Sequence, residues 1–169
     1  METWLDHADQ ALHLRHPEIA EMVMEASAFR QQRQWRMFEF VLMPSHVHLF
    51  FEIFSDVTQA SEAEQAVPLR SGDLPSSVIR PGTSDLKRIL EQFKRWTGHQ
   101  AGKLLNLESG QFWQDEWFDH WSRSPEEDEK IAHYIRHNPE KANLVQRYGD
   151  WPFGSWSPRW LQLSSMQPP

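Results

Sequence analysis

Cysteine is absent from these 169 residues. That excludes disulfides, thiolate metal sites and cysteine nucleophiles, and makes a cytoplasmic location the expectation. Tyrosine is nearly absent, with two against nine tryptophans, so any tyrosine chemistry must fall to Tyr134 or Tyr148. No run of 18 apolar residues occurs, so neither a transmembrane helix nor a membrane partner is expected. The opening METWLDHADQ has early acids and no apolar core, unlike a signal peptide. An excess of positive charge is missing too: 24 acidic residues face 17 basic ones, for a net −7. Phosphate-binding surfaces are usually basic, so a nucleic-acid partner would need a local cationic cluster.

What is present is organised around Met37 to Phe54, MFEFVLMPSHVHLFFEIF. Two apolar runs flank Pro44-Ser45 and read as strands, Met37 to Met43 and Val47 to Phe54, joined by a tight connection. Alternate residues of a strand share a face, so His46 and His48 project together while Val47 and Leu49 turn into packing. Two imidazoles on one strand face are a ready pair of metal ligands. Nine histidines in the chain also allow such a pair to arise by chance.

The length suits one domain with its own core. Leu12-His13-Leu14 is read as a short extended piece. Pro17 at a helix start, followed by Ile19, Met22, Val23, Ala26 and Phe29 at helical spacing, predicts a helix over 17–31. Residues 55–82 lack an apolar period and read as a long surface loop. Ser84 is expected to cap a helix ending at Gly98, with Leu86, Ile89, Leu90, Phe93 and Thr97 inward and Lys87, Arg88, Lys94 and Arg95 outward. From Arg80 to Lys103 there are six basic residues and two acidic ones, a local +4. That is either an ordinary solvated face or a phosphate track. FWQDEWFDHW, residues 112–121, suits a short strand. Ser124-Pro125-Glu126-Glu127 is a capping box opening a helix that Pro139 should end after Asn138. Its inward stripe is Ile131, Tyr134, Ile135 and Asn138, with Lys130, His133 and His137 on the other side. Leu144-Val145 is read as a short helix, and Trp151 to Trp160 as an aromatic tail.

VLMPSHVHLFFEI, QFWQDEWFDHW, YIRHNPEKANLV and WPFGSW together resemble the REP-associated tyrosine transposases, a branch of the single-tyrosine HUH transposases. Trp4-Leu5-Asp6 and Leu14-Arg15-His16-Pro17-Glu18-Ile19-Ala20 add to the likeness, which covers residues 4–156. The resemblance implies an α/β (α+β) fold, a ferredoxin-like βαββαβ antiparallel sheet with helices on one face. The family's first strand precedes the Trp-Leu-Asp element and is expected to be missing from this chain. One domain is expected over 1–156, followed by a tail over 157–169.

The resemblance further implies His46 and His48 as ligands of Mg2+ or Mn2+, Asn138 completing the site and Tyr134 as nucleophile. Imidazole chemistry on its own leans toward Mn2+ or Zn2+. The implied substrate is single-stranded DNA with palindromic hairpins, cut and rejoined through a covalent 5′-phosphotyrosine. Lys87, Arg88, Lys94 and Arg95 would then track phosphates, and Trp113, Trp117 or Trp156 would either stack bases or fill the core. Ser45 stands where the family has Asn, a flanking position expected to matter little. The oligomeric state is left as monomer or homodimer. Two other readings stay open. One is a degenerate or domesticated descendant that binds hairpin DNA without efficient cleavage. The other is an unrelated zinc hydrolase on His133 and His137, which have i, i+4 spacing but no HExxH glutamate.

Overall fold

The apolar-rich run from Trp35 to Met43, buried on both faces toward its end, builds the centre of the molecule. The structure, a computed structural model, describes residues 12–31, 33–54, 83–106, 112–113 and 120–166. Trp4-Leu5-Asp6, the loop 55–82, and residues 114–119 with Trp117 lie outside the described residues. Strand β1 (Trp35–Leu42) pairs antiparallel with β2 (Val47–Ile53), Val41 facing His48 and Glu39 facing Phe50. The hairpin closes at Met43 N–H, which donates to the His46 carbonyl at 2.8 Å, leaving Pro44-Ser45 as the tip. The register shifts between Met37 and Glu39, so Phe38 is the extra residue of a β-bulge.

Among the described residues five α-helices surround this ribbon: α1 (Pro17–Arg30), α2 (Thr83–Leu104), α3 (Pro125–Arg136), α4 (Asn138–Lys141) and α5 (Pro158–Ser165). The α+β class is therefore the one expected, but the helices divide between both faces of the ribbon. On one face Trp35, Phe40, Leu42 and Ile53 join Ile19 and Val23 of α1, Ile89 and Phe93 of α2, and Trp160 of α5 in the larger core. On the other, Val41, Met43 and Phe50 meet Ile131 and Ile135 of α3, with Trp151 and Trp156 alongside. Fully burying a side chain as large as Trp35 or Phe40 contributes roughly 2 to 3 kcal/mol.

The second edge of β1 is not bare. Leu42 N–H donates to the Phe153 carbonyl at 2.8 Å, and Ser155 N–H donates to the Phe40 carbonyl at 3.1 Å, around a bridge between Val41 and Gly154. Backbone groups that an edge would leave unpaired are thus met by the WPFGSW segment. Among the described residues no strand lies beside β2 on its outer side.

Several expected elements differ. His13–Arg15 forms a single 3-10 turn rather than an extended piece, since Leu14 is drawn into the core. Helix α2 runs past Gly98 to Leu104, because Thr97 and Ala101 keep its buried face going. Helix α3 stops at Arg136, not Asn138. After His137 the chain turns and restarts as α4 with Pro139 in its first turn, where no N–H is missed. Leu144-Val145 is not helical. The expected tail over 157–169 contains α5, capped by Ser157, whose hydroxyl accepts from Trp160 N–H at 3.2 Å. Trp160 is buried and stacks edge-on against Phe40 at 4.5 Å.

Candidate metal and tyrosine site

The tip of the hairpin sets His46 and His48 on the face that α3 covers. Their Nε2 atoms approach to 3.1 Å, the rings standing nearly perpendicular at 87°. Ser45 Oγ lies 3.0 Å from His46 Nδ1, engaging the far nitrogen and leaving Nε2 to face its neighbour. A group that engages one ring nitrogen sets which tautomer and orientation the other presents. Ser45 thus has a role that the sequence alone did not suggest. Burial lowers the His46 pKa. Burial, and after it the charge of His46, holds His48 down to about 4. Both rings are therefore neutral near pH 7, the form that donates a lone pair to a cation.

Tyr134 reaches this pair from α3. Ser124 caps that helix by accepting from Glu127 N–H at 3.3 Å, while the Glu127 carboxylate takes Arg123 N–H at 2.8 Å and His120 Nε2 at 2.7 Å. Ile135, buried against Val41 and Met43, fixes which way the helix faces. Arg136 adds a polar tie: its Nε lies 2.6 Å from Glu39 Oε2, and its Nη2 2.5 Å from the same oxygen. Glu39 is buried on β1 and also accepts from the Ser155 hydroxyl. Desolvation raises its pKa, against which Arg136 pulls downward. With α3 held so, the Tyr134 ring stands edge-on to His48 at 5.4 Å between centroids, and Tyr134 remains 49% exposed. Lys141 Nζ lies 4.7 Å from the centre of that ring. Lys141 and Glu39 were both missed by sequence reasoning. Lys141 sits seven residues beyond Tyr134 but across the break between α3 and α4, so no single helical period connects the two.

Asn138 is 8% exposed, and its Nδ2 has no hydrogen-bond partner. A buried amide with an unmet end asks for a further group. Amide nitrogen and oxygen are assigned by their surroundings, so either end can be the one presented. Two imidazole nitrogens 3.1 Å apart fit a common ion at about 2.1 Å from each. The two imidazoles thus present a nitrogen pair whose spacing suits a divalent cation. Among the described residues no group of three His, Cys, Asp or Glu side chains is placed to hold a metal.

The other sequence candidates fall elsewhere. His133 and His137 stack at 4.2 Å, but His137 Nδ1 is taken by Glu140 Oε2 at 2.6 Å, and Glu140 Oε1 accepts Tyr148 N–H at 2.6 Å. Those bonds, His137 first, lower the Glu140 pKa. The cluster ties α4 to the turn at Tyr148–Asp150. Helix α2, with Lys87, Arg88, Lys94 and Arg95, packs on α1 and the larger core, the opposite side of the ribbon from His48 and Tyr134. Lys87 pairs with Glu91 at 3.8 Å, and Arg88 with Asp85 at 3.4 Å. Trp113 packs on the core and donates to the buried Thr97 hydroxyl at 2.7 Å. Trp156 packs in the smaller core and donates to the Trp151 carbonyl.

Among known proteins, the chain is similar to an uncharacterized protein of Haemophilus influenzae, 33% identical over 118 residues. The match takes in 69% of this chain and spans only 61% of that relative's length. No protein-family model matches the chain, and no solved structure does.

Proposed function

We propose that the chain is a metal-dependent, single-tyrosine DNA transposase or endonuclease that cuts and rejoins single-stranded hairpin DNA. The observation that carries this reading is a convergence: two neutral imidazoles with Nε2 atoms 3.1 Å apart, and a half-exposed tyrosine edge-on to one of them. His46, His48 and the Asn138 amide would hold Mg2+ or Mn2+, whose charge polarises a phosphate diester and offsets the charge that develops on it. Tyr134 supplies the nucleophile. Its hydroxyl oxygen forms a bond to phosphorus as the bond from phosphorus to the 3′ oxygen breaks. The phenolic proton is given up, the departing oxygen leaves as a 3′-OH, and the 5′ phosphate stays on the tyrosine. The diester's energy is conserved in that link, so rejoining to another end needs no nucleotide cofactor. Exposure of Tyr134 gives a strand access, and Lys141 beside the ring places a cation where a phosphate would lie.

A descendant that binds hairpins without efficient cleavage is the second reading. It is favoured by the lack, among the described residues, of a third His, Cys, Asp or Glu beside the pair. One experiment separates them. Labelled hairpin oligonucleotides with single-stranded flanks are incubated with protein and Mn2+, then run on a denaturing gel. A protein–DNA adduct that needs metal and disappears in Tyr134→Phe is the expected result. A folded protein that shifts the hairpin on a native gel yet gives no adduct would favour the second reading.

A further inference from the structure

Beyond His48, the same face of the ribbon carries an aromatic pair that the cleavage chemistry leaves unused. Met37 and Phe40 both enter the larger core, so the bulge between them leaves Phe38 and Glu39 together on the α3 face. Arg136 holds Glu39 under α3, whereas Phe38 is left 47% exposed. The Phe38 ring is backed by that of Phe50 at 5.2 Å. Phe50 lies two positions after His48, about 7 Å along the strand. The Arg36 guanidinium stands 5.3 Å from the centre of the Phe38 ring. Its ion pair with Glu52 joins two half-exposed groups, a kind of contact worth little and readily exchanged for another anion. An exposed phenylalanine alone is ordinary. A bulge that turns it to the site face, a ring behind it, a cation beside it and continuity with His48 are not.

We propose that Phe38, backed by Phe50, is a stacking platform for an unpaired base next to the bond that Tyr134 attacks, with Arg36 taking the adjoining phosphate. This rests on the DNA-cleaving reading above. Aromatic faces accept any base, and the neighbouring cation tracks the backbone.

The test is anisotropy of a fluorescein-labelled single-stranded oligodeoxynucleotide in chelator, beside the same oligonucleotide with abasic sites. Phe38→Ala should weaken binding of the intact strand by about fivefold to a hundredfold, and leave binding of the abasic strand unchanged. Phe38→Trp should restore binding, whereas Phe38→Leu, which still covers Phe50, should not. Arg36→Gln should lower the salt slope by about one phosphate contact. Equal affinity of wild type and both Phe38→Ala and Phe38→Leu, with the adduct still formed, would overturn the platform and leave the cleavage reading standing. Equal weakening on intact and abasic strands would also overturn it. A wild-type protein that binds neither strand and forms no adduct would overturn both.

Discussion

At the scale of single residues, two ionisable groups respond to pH in opposite ways. In metal-free protein His48 binds a proton near 6.5 when unfolded but only near 4 when folded. The folded state therefore holds fewer protons between those values. Stability is complete above about pH 6.5 and drains away as pH falls toward 4, by on the order of 3 kcal/mol. His48→Gln should flatten that slope in urea midpoints taken in chelator, and an unchanged slope would contradict it. Glu39 behaves otherwise, since burial favours its neutral form. Arg136→Ala strands a buried carboxylate with only Ser155, and should cost roughly 2 to 4 kcal/mol at neutral pH. The cost should shrink as pH falls, because burial favours the protonated form of Glu39. A cost that does not vary with pH would mean the pair is not the tie described.

The elements show what pattern can and cannot reveal. The hairpin was legible because apolar residues run on both sides of Pro44-Ser45, and the pairing of His46 with His48 followed from strand alternation. Helix α3 was legible from Ser124-Pro125. The same Ser-Pro signal stands at Ser157-Pro158 and opens α5, yet an aromatic-rich stretch obscured it. Helix α2 outran its expected end because a helix interior tolerates glycine when packing on either side continues. The bulge at Phe38 left no local trace, since its cause is the need to send both Met37 and Phe40 into the core. Glu39 acts through partners distant in sequence and Lys141 across the break between α3 and α4, neither of which periodicity encodes. Ser45 acts by a side-chain contact to the adjacent His46. Glycines give the sharpest contrast at this scale. A Cβ on Gly102 meets nothing within 4 Å, so Gly102→Ala should stabilise α2 by about 0.5 to 1 kcal/mol. A Cβ on Gly154 would come within 2.5 Å of the Trp156 ring. Gly154→Ala should therefore destabilise by about 1 to 3 kcal/mol, and thermal melts of both variants check the pair.

Across the whole molecule, the ribbon separates two surfaces of different character. The tyrosine, the imidazoles and Lys141 gather on the α3 side, while the cations of α2 lie with α1 on the other. A short strand spanning only the cleavage point would touch the first surface alone. Lys87→Ala with Arg95→Ala should then leave adduct formation on a short oligonucleotide within about twofold, and weaken only longer hairpins that wrap around. Loss of adduct on the short strand would show that α2 serves the site directly. A net charge of −7 adds a reason for such a strand to be held by few, well-placed cations.

The WPFGSW segment also governs when this surface can exist. Arg136 meets Glu39 across 97 residues, Trp151 meets the Leu42 carbonyl across 109, and Ser155 meets Glu39 across 116. A chain still being synthesised would carry its histidines long before it had the segment that pairs with β1. Contacts so distant form slowly. The tyrosine is therefore among the last parts to be seated, and a product truncated before Phe153 would retain every proposed metal ligand and the nucleophile yet lack the clasp that aligns them.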